Sequence, residues 1–461
     1  MQFLNAPIRA YFGLREERIV SLYEHALETQ EKCVAEALCG FASITGKLPV
    51  ELTNYPFGSG IEIHKMLANK SLTDMKNFNT KMDTIVLNGL SQKAYPGCRV
   101  LVAKGDTILY NKAFGKFSYT DSRSVNMQTI YDLASLTKIM ATSLAIMKLY
   151  DLKQIKLDEK LSHYLPYLKN TNKENITIEQ VMTHTAGLAA WIPFYEKTLL
   201  NKNPNPAIYS KEYSSDFSVQ VCNNLYIKAS YRDSIYAQIC RSEPRKDCKY
   251  LYSDMGFYLL ADLVKTLSGK PLDVYLEENF YAPMNLTRTL FNPLNLYGLN
   301  DIPPTENDTI FRKTLVHGYV HDQGAAMLGG VAGHAGLFST ADELYQLAKL
   351  LLSKGTYKGK SYFSPKTVET FTAYRFAQGD CRRGIGFDKP ARSGASPCSK
   401  HASPLSYGHS GFTGTFIWID PQYDLIYIFL SNRVNPDAEN KKITELGIRT
   451  ALQDAAYQLV K

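Results

Sequence analysis

The stretch Leu133-Ala-Ser-Leu-Thr-Lys-Ile-Met-Ala-Thr-Ser-Leu-Ala-Ile-Met-Lys-Leu-Tyr150 decides the fold. Its apolar residues fall on nearly every side at helical spacing, which predicts a long helix buried on most of its faces. Ser135 and Lys138 are three residues apart, so they lie on one face, close enough for the amine to take the hydroxyl proton. Backbone N–H groups in the first turn favour a developing oxyanion there. We expect the apolar surroundings to lower the pKa of Lys138 toward that of a usable base.

Strand patterns lie on both sides of this helix, toward the two ends of the chain. Residues 98–103 and 107–110 flank the turn dipeptide Gly105-Asp106, and residues 418–430 contain a second hairpin that turns at Asp420-Pro421. Residues 443–460 are typical of a closing helix. Helical segments and loops fill the chain between about 151 and 325. The sequence therefore predicts an α+β fold, with one antiparallel sheet flanked by helices and an inserted helical lobe.

Composition excludes several classes of protein. The chain has 461 residues, 45% hydrophobic, 21% charged and 12% aromatic, as in ordinary globular proteins rather than disordered, collagen-like or coiled-coil chains. The net charge of +8 comes from scattered basic residues, so we predict no nucleic-acid partner. No apolar run is long enough to span a membrane, and the first residues lack the apolar core of a signal peptide.

Neither a metal nor a cofactor is predicted. The eight cysteines form no CxxC pair and no zinc-type spacing with histidine. Cys240 with Cys248, or Cys381 with Cys398, can close a loop in an oxidising compartment, although free thiols are the favoured state. His317, His321, Asp322 and His334 would hold a metal only on a helix, and the glycines among them favour a loop.

Two further segments supply partners for a serine–lysine pair. Tyr252-Ser-Asp254 precedes the helical run 255–264, which places the Tyr252 phenol at a loop-to-helix junction where it can point into a cleft. His409-Ser-Gly411 enters the second hairpin, where glycine lets the backbone approach a ligand closely. The N–H of Phe412 is a candidate oxyanion donor.

Taken in order, Ser135-x-x-Lys138, Tyr252-x-Asp254 and His409-Ser-Gly411 resemble the three motifs of the serine β-lactamase and penicillin-binding-protein superfamily, closest to its class C and D,D-peptidase branch. The resemblance covers about residues 88 to 455. It implies that Ser135 is acylated and that Lys138 and Tyr252 share general-base work. It also implies substrate binding by Asp254, His409, Ser410, Gly411 and Phe412. The supporting stretches are Met182-Thr-His-Thr-Ala-Gly-Leu188, Ala282-Pro-Met-Asn-Leu286, Gly333-His-Ala-Gly-Leu-Phe-Ser-Thr340 and Gly408-His-Ser-Gly-Phe-Thr-Gly414.

Two positions depart from this pattern. The second motif of the family usually ends in Asn where this chain has Asp254, and the third usually begins with Lys where this chain has His409. A mostly neutral histidine holds a substrate carboxylate less firmly than an ammonium does. We therefore expect a D-alanyl peptide hydrolase or an esterase that acts on a small peptide or ester, such as a peptidoglycan stem, in the bacterial cell envelope. The alternative is a catalytically silent relic or a cell-wall binding module.

The N-terminal segment carries a separate resemblance. Residues 28–38, 45–50 and 57–60 are similar to the end of the α/β domain of family 3 glycoside hydrolases, whose catalytic barrel would lie upstream. We predict a remnant of that domain over residues 1–62, a linker over 63–85 and a serine hydrolase domain over 86–461. An upstream glycosidase, once fused to this chain, is the implied partner.

Overall fold

The computed structural model describes residues 70–245, 249–377 and 381–461. The predicted remnant at 1–62 lies outside these residues. Residues 81–461 form one compact unit. The first helix of the described residues, α1 (Leu72–Ser91), begins inside the predicted linker and continues past residue 85.

The main sheet has five antiparallel strands built from the two ends of this unit. They are β1 (Gly97–Lys104), β2 (Thr107–Gly115), β3 (Tyr407–Ser410), β4 (Phe416–Asp420) and β5 (Leu425–Ser431), in the order β3-β4-β5-β1-β2. Val100 on β1 pairs with Phe429 on β5, so strands more than 300 residues apart share the centre of the sheet. Both predicted hairpins are confirmed, and β3 forms an additional edge strand against β4.

The predicted helix over 133–150 is a regular α-helix only in its second half. Ala134–Leu136 form a 3₁₀ turn, Lys138–Thr142 a π-helical turn, and Ser143–Asp151 the regular helix α2. Ala134 has a positive φ of 48°, which an L-residue adopts only when its surroundings hold it there. The expectation of one continuous helix was therefore wrong at its N-terminal end, while its burial on most sides is confirmed.

Other helices cover the sheet and build the inserted lobe. Helix α3 (Met255–Ser268) packs on α2, while α4 (Ala341–Leu352) and α5 (Ile448–Val460) pack on β5. The predicted closing helix is interrupted at Gly447, whose φ of 58° separates Lys442–Glu445 from α5. The shorter helices are Leu161–Tyr164, Ile178–Met182, Tyr231–Arg241, Leu272–Leu276, Gln323–Ala326 and Pro365–Thr372.

Short strands and turns complete the described chain. One small sheet joins Tyr131–Asp132, Leu337–Ser339 and Leu290–Phe291, directly before the 3₁₀ turn that carries Ser135. No helix among the described residues has the length and apolarity to cross a membrane. The other strands are Leu199–Leu200, Asn203–Pro204, Tyr209–Ser210, Val219–Cys222, Leu225–Ile227, Asn307–Asp308, Thr314–Leu315, Thr356–Tyr357 and Lys360–Ser361, and the other turns are Pro166–Leu168, Glu196–Thr198, Glu277–Tyr281, Ala282–Met284 and Pro293–Asn295.

Candidate active site

Ser135 lies in a tightly held turn. The buried Asp132 carboxylate accepts the Ala134 N–H at 2.8 Å through one oxygen and the His321 N–H at 2.6 Å through the other. These bonds offset the unfavourable backbone conformation of Ala134. Ser135 itself is partly exposed, so its hydroxyl is accessible beside a rigid backbone.

Lys138 lies one turn further along and is fully buried. Its Nζ is 3.0 Å from Ser135 Oγ, 3.2 Å from the carbonyl oxygen of His334 and 2.7 Å from Asp254 Oδ1. The expected proximity of the Ser135 hydroxyl and the Lys138 amine is therefore present. The amine also donates to the His334 carbonyl and forms an ion pair with the Asp254 carboxylate.

The expected depression of the Lys138 pKa was wrong. Burial alone lowers the pKa of this amine, as the sequence analysis argued, but the neighbouring Asp254 carboxylate and Tyr252 outweigh burial and raise it above its usual value. The side chain of Asp254 was assigned to substrate binding. Its Oδ1 faces Lys138.

Tyr252 brings its phenol to the same point from the loop before α3. Its ring centroid is 5.0 Å from Lys138 Nζ and 4.5 Å from the ring of His184. The phenol oxygen is buried and forms no hydrogen bond with the described residues. Burial raises the pKa of Tyr252, and Lys138 and Ser135 lie close enough to oppose that rise. His184 accepts the Ser253 N–H at 3.1 Å through Nδ1, which ties the loop before α3 to this ring.

His409 lies on the edge strand β3, with its ring 5.8 Å from that of Tyr252. Burial lowers the pKa of His409 to about 4, so the imidazole is neutral at neutral pH. Nδ1 is 2.7 Å from the Ser410 carbonyl oxygen, which can only accept, so Nδ1 carries the proton and Nε2 keeps its lone pair. His409 therefore offers an acceptor, where the usual lysine offers a cation.

The turn after β3 is locked onto the segment that precedes Ser135. Thr413 Oγ1 donates to the carbonyl of Asp132 at 2.8 Å, and Thr415 Oγ1 donates to that of Leu133 at 2.9 Å. A Cβ on Gly411 would collide with both Thr415 and Leu133, so only glycine fits there. The N–H of Phe412 has no acceptor among the described residues, which leaves it available to a ligand.

A cleft of about 370 Å³ connects these parts. Its floor contains Ser135, Tyr252 and His409, and its outer wall contains arginines that the sequence analysis did not identify. The motif spacings did not point to these arginines, because the arginines lie far from Ser135 in sequence, in loops and at the start of α5. The lining residues are Ser135, Tyr250, Tyr252, Arg382, Asp388, His409, Ser410, Gly411, Phe412, Arg433, Thr444 and Arg449.

A buried ion cluster of Arg382, Arg383 and Asp388 lies next to the strand that carries His409. Asp388 accepts from Arg382 at 2.9 Å and from the fully buried Arg383 at 2.5 Å, and its backbone pairs with Gly408. Burial alone would raise the pKa of Asp388, but these cations hold it below its usual value. This cluster was not predicted, since no sequence pattern indicates that Asp388 lies beside the third motif.

The histidines that were considered as metal ligands and rejected lie apart from one another. His334 Nε2 pairs with Asp322 Oδ1 at 2.8 Å, His321 Nε2 with Glu306 Oε1 at 3.0 Å, and His317 Nε2 contacts the carbonyl of Ile302. Within residues 70–245, 249–377 and 381–461, no group of three or more metal-ligating side chains is assembled. Cys240, Cys381 and Cys398 are free thiols, and Cys248 lies outside the described residues.

Comparison with known proteins places this constellation in a family. The model of the beta-lactamase family matches residues 76–451. The chain belongs to the beta-lactamase family. The match spans the sheet, the helical lobe and all three segments that form the cleft.

Curated relatives of this beta-lactamase family member are similar over most of their length. An "N-acetylmuramyl-L-alanine amidase" from Bacillus subtilis is 31% identical over 400 residues, covering 79% of this chain and 84% of the relative. A protein from Escherichia coli named "Putative D-alanyl-D-alanine carboxypeptidase" is 32% identical over 376 residues, covering 76% and 81%.

Solved structures confirm the fold. A class C beta-lactamase superposes with a TM-score of 0.60 at 14% identity and covers 84% of this chain and 100% of its own. A penicillin-binding protein homologue from Caulobacter crescentus superposes with a TM-score of 0.58 at 16% identity. The match covers 83% of this chain and 98% of the homologue. The hydrolase EstCE1, described as having promiscuous acyltransferase activity, gives 0.60 at 16% identity, covering 84% and 100%.

Proposed function

We propose that this chain is a cell-wall-related serine hydrolase that acts through an acyl-enzyme formed on Ser135. The observation that carries the proposal is the 3.0 Å contact between Ser135 Oγ and the buried Lys138 Nζ at the floor of a cleft, beside the Tyr252 phenol. An accessible hydroxyl in contact with a buried amine is the arrangement that nucleophilic catalysis requires.

The chemistry follows from this arrangement. Ser135 Oγ attacks the carbonyl carbon of the scissile bond while its proton passes to the Lys138–Tyr252 pair, and the carbonyl oxygen becomes an oxyanion. The N–H of Phe412 is available to stabilise that charge. Collapse breaks the bond to the leaving group, which takes up the proton. Water then attacks the acyl carbon in the same way and restores the Ser135 hydroxyl.

The cleft favours a substrate with a free carboxylate. Arg433 donates to the backbone oxygens of Ala438 and Asn440, and Arg449 donates to that of Thr415 at 3.4 Å. Within the described residues, these guanidinium groups therefore bond to carbonyls rather than to carboxylates. Burial and the neighbouring Arg449 lower the pKa of Arg433 to about 10, still far above neutrality. An anionic group in the cleft would compensate these charges.

Two amide bonds of the cell wall are candidate substrates. The carboxypeptidase-named relative favours a D-Ala-D-Ala peptide, whose terminal carboxylate suits the arginine wall. The amidase-named relative favours the amide that joins N-acetylmuramic acid to L-alanine. An ester remains a third substrate class, since attack of Ser135 on an ester carbonyl follows the same steps.

A substrate profile separates these cases. Purified protein is assayed with a D-Ala-D-Ala peptide, an N-acetylmuramyl-L-alanine peptide, short p-nitrophenyl esters and nitrocefin, and is labelled with a fluorophosphonate. We expect turnover of at least one amide or ester and labelling that disappears in Ser135→Ala. We expect little nitrocefin hydrolysis, because neutral His409 replaces the usual cation. No label and no turnover would favour the silent relic or binding module instead.

We also infer that residues 1–62 are a remnant of a family 3 glycoside hydrolase domain, joined by residues 63–85 to the hydrolase domain at 86–461. The support is the resemblance of residues 28–38, 45–50 and 57–60. The partner that this resemblance implies is a glycosidase domain of the same family. Since the resemblance includes neither the catalytic barrel nor the nucleophile of that family, we expect no turnover of p-nitrophenyl glycosides. Measurable turnover would contradict this assignment.

A further inference from the structure

Among the described residues, three polar groups lie within 3.2 Å of Lys138 Nζ, and the Tyr252 phenol also faces this amine. The His334 carbonyl at 3.2 Å and the Asp254 carboxylate at 2.7 Å can accept hydrogen bonds but have no proton to donate. The third neighbour, Ser135 Oγ at 3.0 Å, can either accept from Lys138 or donate to it. As an ammonium, Lys138 donates to the His334 carbonyl and to Ser135 Oγ and forms an ion pair with Asp254. As a neutral amine, it can accept the proton of Ser135.

Asp254 decides between these two states. It is the N-cap residue of α3 and its N–H is bonded to the carbonyl of Ala190, so its carboxylate is held beside the lysine. A carboxylate in contact with a fully buried amine stabilises the ammonium strongly, because little water screens the pair. The asparagine that usually stands at this position in the family has the same shape and no charge.

In the part of the chain that the structure describes, no second full charge in contact with Lys138 offsets this effect. The Phe257 ring lies 5.5 Å from Nζ and the Tyr252 ring 5.0 Å, and both are uncharged. The His334 ring is turned toward Asp322. Burial lowers the pKa of His184 and of His409, so both imidazoles are neutral as well. The charged and titratable groups that face Lys138 are thus Asp254 and Tyr252, with His184 and His409 beyond them.

We infer that Asp254 is a positioning residue that keeps the proton on Lys138 in the resting site and thereby moves the onset of Ser135 acylation to more alkaline pH. This inference rests on the proposed function of Ser135. The carboxylate has the same effect if Tyr252 is the base, since a nearby anion also disfavours the phenolate. The Asp254 carboxylate therefore changes the pH at which the base loses its proton, and it does not change the position of Ser135 Oγ.

The test is the rate constant for labelling of Ser135 by a fluorophosphonate, measured across pH in the full chain and in Asp254→Asn. Removing a charge in direct contact should lower the midpoint of the acidic limb by about 1 to 3 pH units. Below the wild-type midpoint the variant should then label about 10 to 1,000 times faster. An unchanged or higher midpoint, or loss of labelling at every pH, would overturn the inference.

Matched variants separate charge from structure. Asp254→Glu keeps the carboxylate and should keep the midpoint near that of the wild type, whereas Asp254→Ser should shift it downward as Asn does. Asp262→Asn removes another carboxylate of α3, which pairs with Arg232, and should leave the midpoint unchanged. If Asp254→Asn does not fold, the Ser and Glu variants decide the question. If the wild type does not label at Ser135 at all, the proposed function fails rather than this inference.

Discussion

The floor and the outer wall of the cleft differ in charge. On the floor, Lys138 is paired with Asp254 and His409 is neutral, so the surroundings of Ser135 carry almost no net charge. On the wall, Arg433 and Arg449 are bonded to backbone oxygens. Relative to the usual family motifs, one floor position has gained a negative charge and another has lost a positive one.

This difference assigns different tasks to the two regions. A neutral floor contributes little to binding an anion, so recognition of a substrate carboxylate falls to the arginines of the wall. The floor can instead specialise in proton transfer, which depends on fixed distances more than on net charge. If so, perturbing the floor should change stability and rate, while perturbing the wall should change substrate affinity.

The largest effect is expected from Asp132, which holds the floor in place. Asp132→Ala leaves the N–H groups of Ala134 and His321 without their buried acceptor. At about 1–3 kcal/mol for each unsatisfied group, the free energy of unfolding should fall by about 4 kcal/mol. Urea denaturation of the variant and the wild type measures this loss.

Asp132→Asn provides the control. Its one carbonyl oxygen can satisfy one of the two N–H groups, so we expect roughly half the destabilisation. Labelling of Ser135 should slow in both variants, because the turn at Ala134 loses its support. Stability and labelling that match the wild type in Asp132→Ala would show that the floor does not depend on this carboxylate.

A smaller effect is expected from the titration of His409. The pKa of this imidazole falls from about 6.5 in the unfolded chain to about 4 in the fold, so protonation favours unfolding. Its contribution to stability is fully present above about pH 6.5 and is lost as the pH falls toward 4, by about 3 kcal/mol in all.

Comparison with His409→Gln isolates this contribution. The variant cannot titrate at this position, and Arg383 and Arg382 still lower the pKa of Asp388 in it, so the difference between the two curves reports mainly the titration of His409. Unfolding free energies are compared at several pH values between about 4 and 7. Equal slopes for the two proteins would mean that folding leaves the pKa of His409 unchanged, which would contradict the expected effect of its burial.

The sequence predicted the sheet better than it predicted the floor. Both hairpins follow from local signals, namely alternating apolar residues around Gly105-Asp106 and Asp420-Pro421. The 3₁₀ and π turns around Ser135 do not follow from local signals in the sequence. They depend on Asp132 reaching the N–H of His321, 189 positions away, and periodicity carries no signal of such a contact.

The predicted site residues lie together, but their electrostatics could not be read from spacing. Ser135, Lys138, Tyr252 and Asp254 were all identified from motifs, yet the expected fall in the Lys138 pKa considered only its apolar neighbours. The contact with Asp254 reverses the direction. Arg449 was missed because it begins a helix near the end of the chain, where a lone arginine resembles any surface cation.

The smallest effect is expected at the wall. Arg449→Ala removes a guanidinium that lines the cleft and bonds only weakly to Thr415, so the fold should be little affected. Loss of a charge-assisted hydrogen bond of about 1.5–3 kcal/mol should raise KM for a substrate with a free carboxylate by about 10- to 100-fold, with little change in kcat.

An amidated form of the same substrate tests the assignment directly. It lacks the charge that Arg449 would bind, so wild type and variant should process it with similar KM. Lys354→Ala removes an exposed cation that pairs with Glu369 outside the cleft lining. This variant should leave KM for both substrates unchanged. If Arg449→Ala weakened both substrates equally, the guanidinium would be shaping the cleft rather than binding the carboxylate. The floor would then have to supply the recognition that its neutrality argues against.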